Sequence, residues 1–153
     1  MPDERPVPEE RPVSAERQRA ASTRSGPGRV LVAVYAVFAV AATSRATVQM
    51  LTKFAEAPLA YVLSAFSAVV YVVATVALAR GGPTARKVAW CACGVELAGV
   101  LTIGFFSLFD PVAFPDATVW SVFGRGYLFV PLVLPILGLA WLRHTGRAEP
   151  KRA

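Results

Sequence analysis

The stretch APLAYVLSAFSAVVYVVATVALA, residues 57–79, contains 23 residues and no charged side chain. A helix rises about 1.5 Å per residue, so about 20 residues cross a hydrocarbon core of ~30 Å. This run has the length of a bilayer span. Pro58 suits a first helical turn, and Arg80-Gly81-Gly82-Pro83 supplies the stop. Lipid is therefore the expected solvent, and the rest of the chain agrees. Of its 153 residues 55% are apolar and only 17% charged, against roughly a quarter charged in soluble domains.

Upstream of that run, residues 30–44 are uncharged, and beyond Arg45 the pattern stays compatible with a helix through Phe54. Arg45 would lie roughly 6 Å inside the boundary, within reach of the headgroups by snorkelling. Downstream, residues 88–109 are interrupted only by Glu96 and end at Asp110-Pro111. The last apolar run, residues 127–142, lies between Arg125 and Arg143 and contains Pro131 and Pro135, which membrane helices tolerate. The sequence predicts an all-α, four-helix transmembrane bundle over residues 30–143. Its spans fall at about 30–51, 57–79, 88–109 and 124–142. Between the third and fourth spans, Phe114, Trp120, Phe123 and Tyr127 are expected at the headgroup level, with a short interfacial helix capped by Asp116.

Residues 1–29 hold six Arg, five acidic residues and five Pro but no Leu, Ile or aromatic residue, which predicts a disordered tail. Glu4-Arg5-Pro6-Val7 recurs as Glu10-Arg11-Pro12-Val13, a spacing too short for a structural repeat. Arg17, Arg19, Arg24 and Arg29 form a basic patch beside the first span, for which lipid phosphate is the expected partner and nucleic acid is not. Four spans place the head, the 80–87 loop, and Arg143 with the basic 144–153 tail on one side, with thirteen Lys and Arg. The opposite side carries three: Arg45, Lys53 and Arg125. Basic residues stay cytoplasmic, so both termini are expected inside, in a cell membrane. A cleaved-signal reading of the first span, with Ala39-Val40-Ala41 as the site, competes less well because the head is long for an n-region.

Glu96 is the strongest functional candidate, since an ionisable group near a helix centre costs about 2.5–3.5 kcal/mol on insertion scales. Counting from Lys87 places it about 13 Å deep, level with Ser67 and Tyr71 on the second span and within reach of Tyr35 on the first. Burial without a cation favours the neutral acid, which donates a hydrogen bond. One reading is proton or cation coupling in a small transporter or channel subunit; the other is a packing residue that joins helices. Arg45, Gln49 and Lys53 follow at i, i+4 and i+8 and form one polar stripe. The stripe either lines an outer vestibule or marks a helix end leaving the membrane.

Cys91 and Cys93 are two residues apart on a helix, about 200° around its axis, so they cannot converge on one metal or form an unstrained disulfide. Small residues recur as Ala60, Ser64, Ala68 and as Gly94, Ala98, Thr102. These predict close packing of the second and third spans, with Glu96 turned toward the first or fourth or toward a neighbouring subunit. Pro131 and Pro135 are expected to kink the fourth span and free backbone carbonyls. His144 is the single histidine. No phosphate loop, nucleophile elbow or HExxH pattern occurs, so neither enzyme activity, a metal centre nor a cofactor is expected.

The Ala-, Val- and Arg-rich composition looks like coding from a GC-rich genome. Ser44 to Gln49, Ala57-Pro58-Leu59-Ala60-Tyr61 and Tyr127 through Pro131 and Pro135 to Trp141-Leu142-Arg143 resemble uncharacterised small four-helix integral membrane proteins of actinobacterial type. That group has no assigned activity to carry over, so the resemblance implies an accessory or structural membrane component. A homo-oligomer or a second membrane protein is the partner expected. A second comparison is with small multidrug exporters, four-helix chains with one embedded glutamate. Here the glutamate lies on the third span rather than the first, and the charge asymmetry favours a single orientation. Four-helix disulfide-generating enzymes require outer cysteines, and neither outer loop contains one.

Overall fold

A computed structural model describes residues 26–109 and 118–147. The described residues are all-helical, without strands. Helix α1 covers Pro27–Thr52, α2 covers Pro58–Arg80, α3 covers Pro83–Phe109 and α4 covers Val130–Arg147; a 3₁₀ segment, Ser121–Tyr127, precedes α4. Pro27, Pro58 and Pro83 each occupy the first position of a helix, where the missing N–H has no intrahelical partner to lose. Gly81 and Gly82, at φ 67° and 88°, make the reversal between α2 and α3.

Helices α1, α2 and α3 are long and apolar enough to cross a membrane. The fourth expected span differs. Its 3₁₀ segment meets α4 at 100°, so the pair forms a fourth span only as a bent unit. Residues 124–129, expected at the start of the fourth span, form the turn instead. Gly124, Leu128 and Phe129 have positive φ there, and the ring of Pro131 packs where a Gly124 side chain would stand. Pro131 lies in the first turn of α4, where it removes no helical hydrogen bond, so only Pro135 acts as an interior proline.

Helix α1 begins three residues inside the expected 1–29 tail, and α4 continues through four residues of the expected 144–153 tail. The remainder of both tails, and the Asp116 cap, lie outside the described residues. Helix α1 packs along α2, α2 along α3, and α3 along α4 and the 3₁₀ segment. Contact between α1 and α4 is sparse, leaving an apolar groove of about 600 Å³. At one end of the bundle Arg86 on α3 donates to the carbonyl of Leu142, and the Arg143 guanidinium lies 5.5 Å from the Trp90 ring centroid.

The outward surface is apolar: Val37, Val69, Phe105 and Phe106 are all exposed. In water such a surface would be one continuous apolar patch; in lipid it is a solvated face. Of the two small-residue stripes expected to pack on each other, that of α2 lies inside, with Ala60, Ser64 and Ala68 buried. That of α3 does not: Gly94, Ala98 and Thr102 are exposed. The reason is rotational. Gly94 stands about 200° from Glu96 around the axis, and α3 turns inward the face bearing Ala89, Cys93, Glu96 and Val100.

Candidate functional site

The interior is organised around Glu96, which is 0% exposed. From α1, Tyr35 donates its hydroxyl hydrogen to Glu96 Oε2 at 2.9 Å. The same phenol oxygen lies 3.4 Å from Cys93 Sγ, one turn before Glu96 on α3. Tyr35 and Cys93 are themselves fully buried. Their proximity depends on Gly138 of α4: a β-carbon there would stand 2.9 Å from Cys93 Sγ and 3.2 Å from Tyr35 Oη. Three elements, α1, α3 and α4, therefore close around the Tyr35–Glu96 pair.

From α2, the hydroxyl of Tyr71 faces both Glu96 and the Trp120 indole nitrogen closely enough for electrostatic interaction. None of Tyr71 Oη, Glu96 Oε1 and Trp120 Nε1 completes a hydrogen bond, although all three atoms are buried. Tyr71 also stacks obliquely against Tyr35, with centroids 6.2 Å apart. Tyr35 and Tyr71, predicted as partners, are thus brought to Glu96. Ser67 is not. Its hydroxyl donates to the Ser64 carbonyl at 2.8 Å, the local backbone bond that competes for a helical serine.

Trp120 occupies a place the sequence did not suggest. Expected at the headgroups, it is 2% exposed and enters the bundle between α2 and α3. Gly99 makes room for it, since a β-carbon there would lie 2.6 Å from the indole ring. Gly104 receives Phe123 in the same way. The segment is pinned by reciprocal bonds. Thr118 N–H donates to Ser121 Oγ at 2.9 Å, and Ser121 N–H donates to Thr118 Oγ1 at 3.0 Å. Val122 N–H donates to Ser107 Oγ on α3 at 2.7 Å.

The stripe Arg45, Gln49 and Lys53 is divided among different partners. Arg45 donates to the Tyr127 hydroxyl at 2.7 Å and lies 6.0 Å from its ring centroid. Gln49 is buried. Lys53, just past the end of α1, pairs with Glu56 at 3.6 Å, where exposure of both side chains limits the contribution of the pair. Two signals for the site were present in the sequence. Cys93 lies three residues before Glu96 and so shares its helix face, and Gly99 and Gly104 mark close approach on a helix otherwise free to carry larger residues. What places Trp120 against Gly99 is a long-range packing choice, absent from local pattern.

No group of three or more potential metal-ligating side chains occurs among the described residues. Comparison with protein-family models, curated proteins and solved structures finds no match to this chain.

Proposed function

We propose that the chain is a four-pass integral protein of the cell membrane with both termini in the cytoplasm, and that its role is accessory or structural rather than enzymatic. Its bent fourth span returns the chain to the side from which it started. Thirteen basic residues against three support the orientation. The observation that carries the role is the enclosure of Glu96: its carboxyl group is spent on joining α1 to α3 through Tyr35. A polar side chain used in this way fixes helix register inside a bundle, in the manner of membrane helices joined by hydrogen bonds.

A second reading, a small transporter or channel subunit coupled to protons or cations through Glu96, draws on the unpaired buried atoms Glu96 Oε1, Tyr71 Oη and Trp120 Nε1. One experiment separates the two. The chain alone is reconstituted in liposomes with an internal pH dye, and wild type is compared with Glu96→Gln. The accessory role predicts equal, background proton flux and a stoichiometric protein partner after mild detergent extraction. Flux by the wild-type chain that Glu96→Gln abolishes would replace it with the transporter reading.

A further inference from the structure

Three observations converge beside Glu96. The first is the trio of buried, unpaired polar atoms already described, contributed by α2, α3 and the segment before α4. The second is backbone strain next to Trp120. Val122, Phe123, Leu128 and Phe129 have φ of 49°, 58°, 55° and 59°, a region that is uncommon for side chains of this bulk. Such conformations persist where surrounding contacts enforce them, and they concentrate at switch segments. The third is the seat itself: the indole ring packs on the backbone of Gly99, with Phe66 of α2 edge-on to it at 6.1 Å between centroids.

Hydrogen counting links these observations. Cys93, Tyr35, Tyr71 and Trp120 each bring one donor hydrogen. One chain is complete, joining Cys93, Tyr35 and Glu96 Oε2, while the Tyr71 hydroxyl lies between Glu96 Oε1 and the Trp120 indole N–H with no bond completed. A proton added to Oε1 turns that oxygen from an acceptor into a donor, so it competes with the indole N–H for the Tyr71 oxygen. The indole N–H is the member held by the strained segment, so loading Glu96 weakens the seat of Trp120.

We infer that Glu96 is an exchangeable proton-binding site entered from the Arg45 end of the bundle, with Trp120 as the plug that seals it. The proton arrives from water as hydronium, adds to a carboxylate oxygen and leaves by the same route. The Arg45–Tyr127 hydrogen bond places the plug segment at that end. The titratable groups facing Glu96 among the described residues are Tyr35 from α1, Tyr71 from α2 and Cys93 from α3; α4 presents Gly138. The inference goes beyond the accessory role and requires only that the helices lie in a bilayer.

The probe is dicyclohexylcarbodiimide, applied to the full chain in phosphatidylcholine vesicles and read by peptide mass. The protonated carboxyl adds across one C=N bond, and the adduct rearranges to an N-acylurea with nothing lost. Labelling of Glu96 in wild type is expected to be slow and to slow further as pH rises. Gly99→Ala intrudes on the indole seat and should accelerate it about tenfold, while Gly94→Ala on the exposed face of the same helix leaves it unchanged. If Gly99→Ala fails to accumulate, Trp120→Leu takes its place with the same expected acceleration. A second measurement leaves the plug intact. In Trp90→Phe/Trp141→Phe, iodide quenching of Trp120 should increase on acidification, and Glu96→Gln should abolish that increase. Equal labelling rates for the plug variant and wild type, labelling independent of pH, or quenching indifferent to pH each overturn the inference. Failure of the chain to enter vesicles would instead count against the membrane reading.

Discussion

Tyr35 and Glu96, on α1 and α3, are joined by a hydrogen bond of 2.9 Å between two fully buried side chains. It bridges the first and third helices through an interior lined mainly by apolar and aromatic side chains. Removing one partner of such a bond leaves the other without compensation, a larger penalty than the net value of the bond.

Tyr35→Phe should therefore destabilise the bundle by about 1–3 kcal/mol. Glu96→Gln, nearly isosteric and still able to accept from Tyr35, should cost less. The double variant should be less destabilised than the sum of the singles, because they share one contact. Thermal unfolding in a fixed detergent measures all three, and strict additivity would show that the two side chains do not interact.

Gly138→Ala places a methyl group against Cys93 Sγ and Tyr35 Oη. The expected cost is about 1–3 kcal/mol from overpacking, partly offset by a helix-propensity gain of up to about 1 kcal/mol. Gly94→Ala, with nothing within 4 Å of its new methyl group, carries the propensity gain alone. The same unfolding assay should rank Gly94→Ala above wild type and Gly138→Ala below it.

How much of this was legible in the sequence depends on the range of the interaction concerned. Three helices follow from long apolar runs with at most one charged residue each, because the length needed to cross lipid is a local property. Glu96 stood out as a lone acid in such a run, and Tyr35 and Tyr71 could be matched to it by depth alone. Ser67 has the same depth, but its hydroxyl has a nearer acceptor on its own helix. The rotation of α3 is not legible locally: small residues at Gly94, Ala98 and Thr102 suggest an interface, whereas enclosure of Glu96 turns them outward. Residue type alone predicts Trp120 at the headgroups. Its burial depends on Gly99 and on a left-handed turn that Val122 and Phe123 do not advertise.

Cys91 and Cys93 supply a check on that rotation. Cys91 is exposed and Cys93 is buried against Tyr35. A small membrane-permeant maleimide should consume Cys91 in the native protein and reach Cys93 only after denaturation, as read by peptide mass. Equal reaction of both would place α3 in a different orientation.

Tyr127→Phe removes the hydroxyl that accepts from Arg45. Bonds to charged groups are worth about 1.5–3 kcal/mol, and partial exposure puts this one near the lower limit. The loss should appear both as a lower unfolding temperature and as faster proteolysis of vesicles within residues 118–129. Unaltered cleavage would mean that the Arg45 bond does not hold the plug segment.

The central claim is that residues 30–142 are dissolved in lipid, and alkaline carbonate extraction of membranes containing the full chain tests it most directly. The account predicts that the chain stays in the membrane pellet and leaves it only with detergent. Recovery of the chain in the carbonate supernatant, as a monodisperse species without amphiphile, would contradict it.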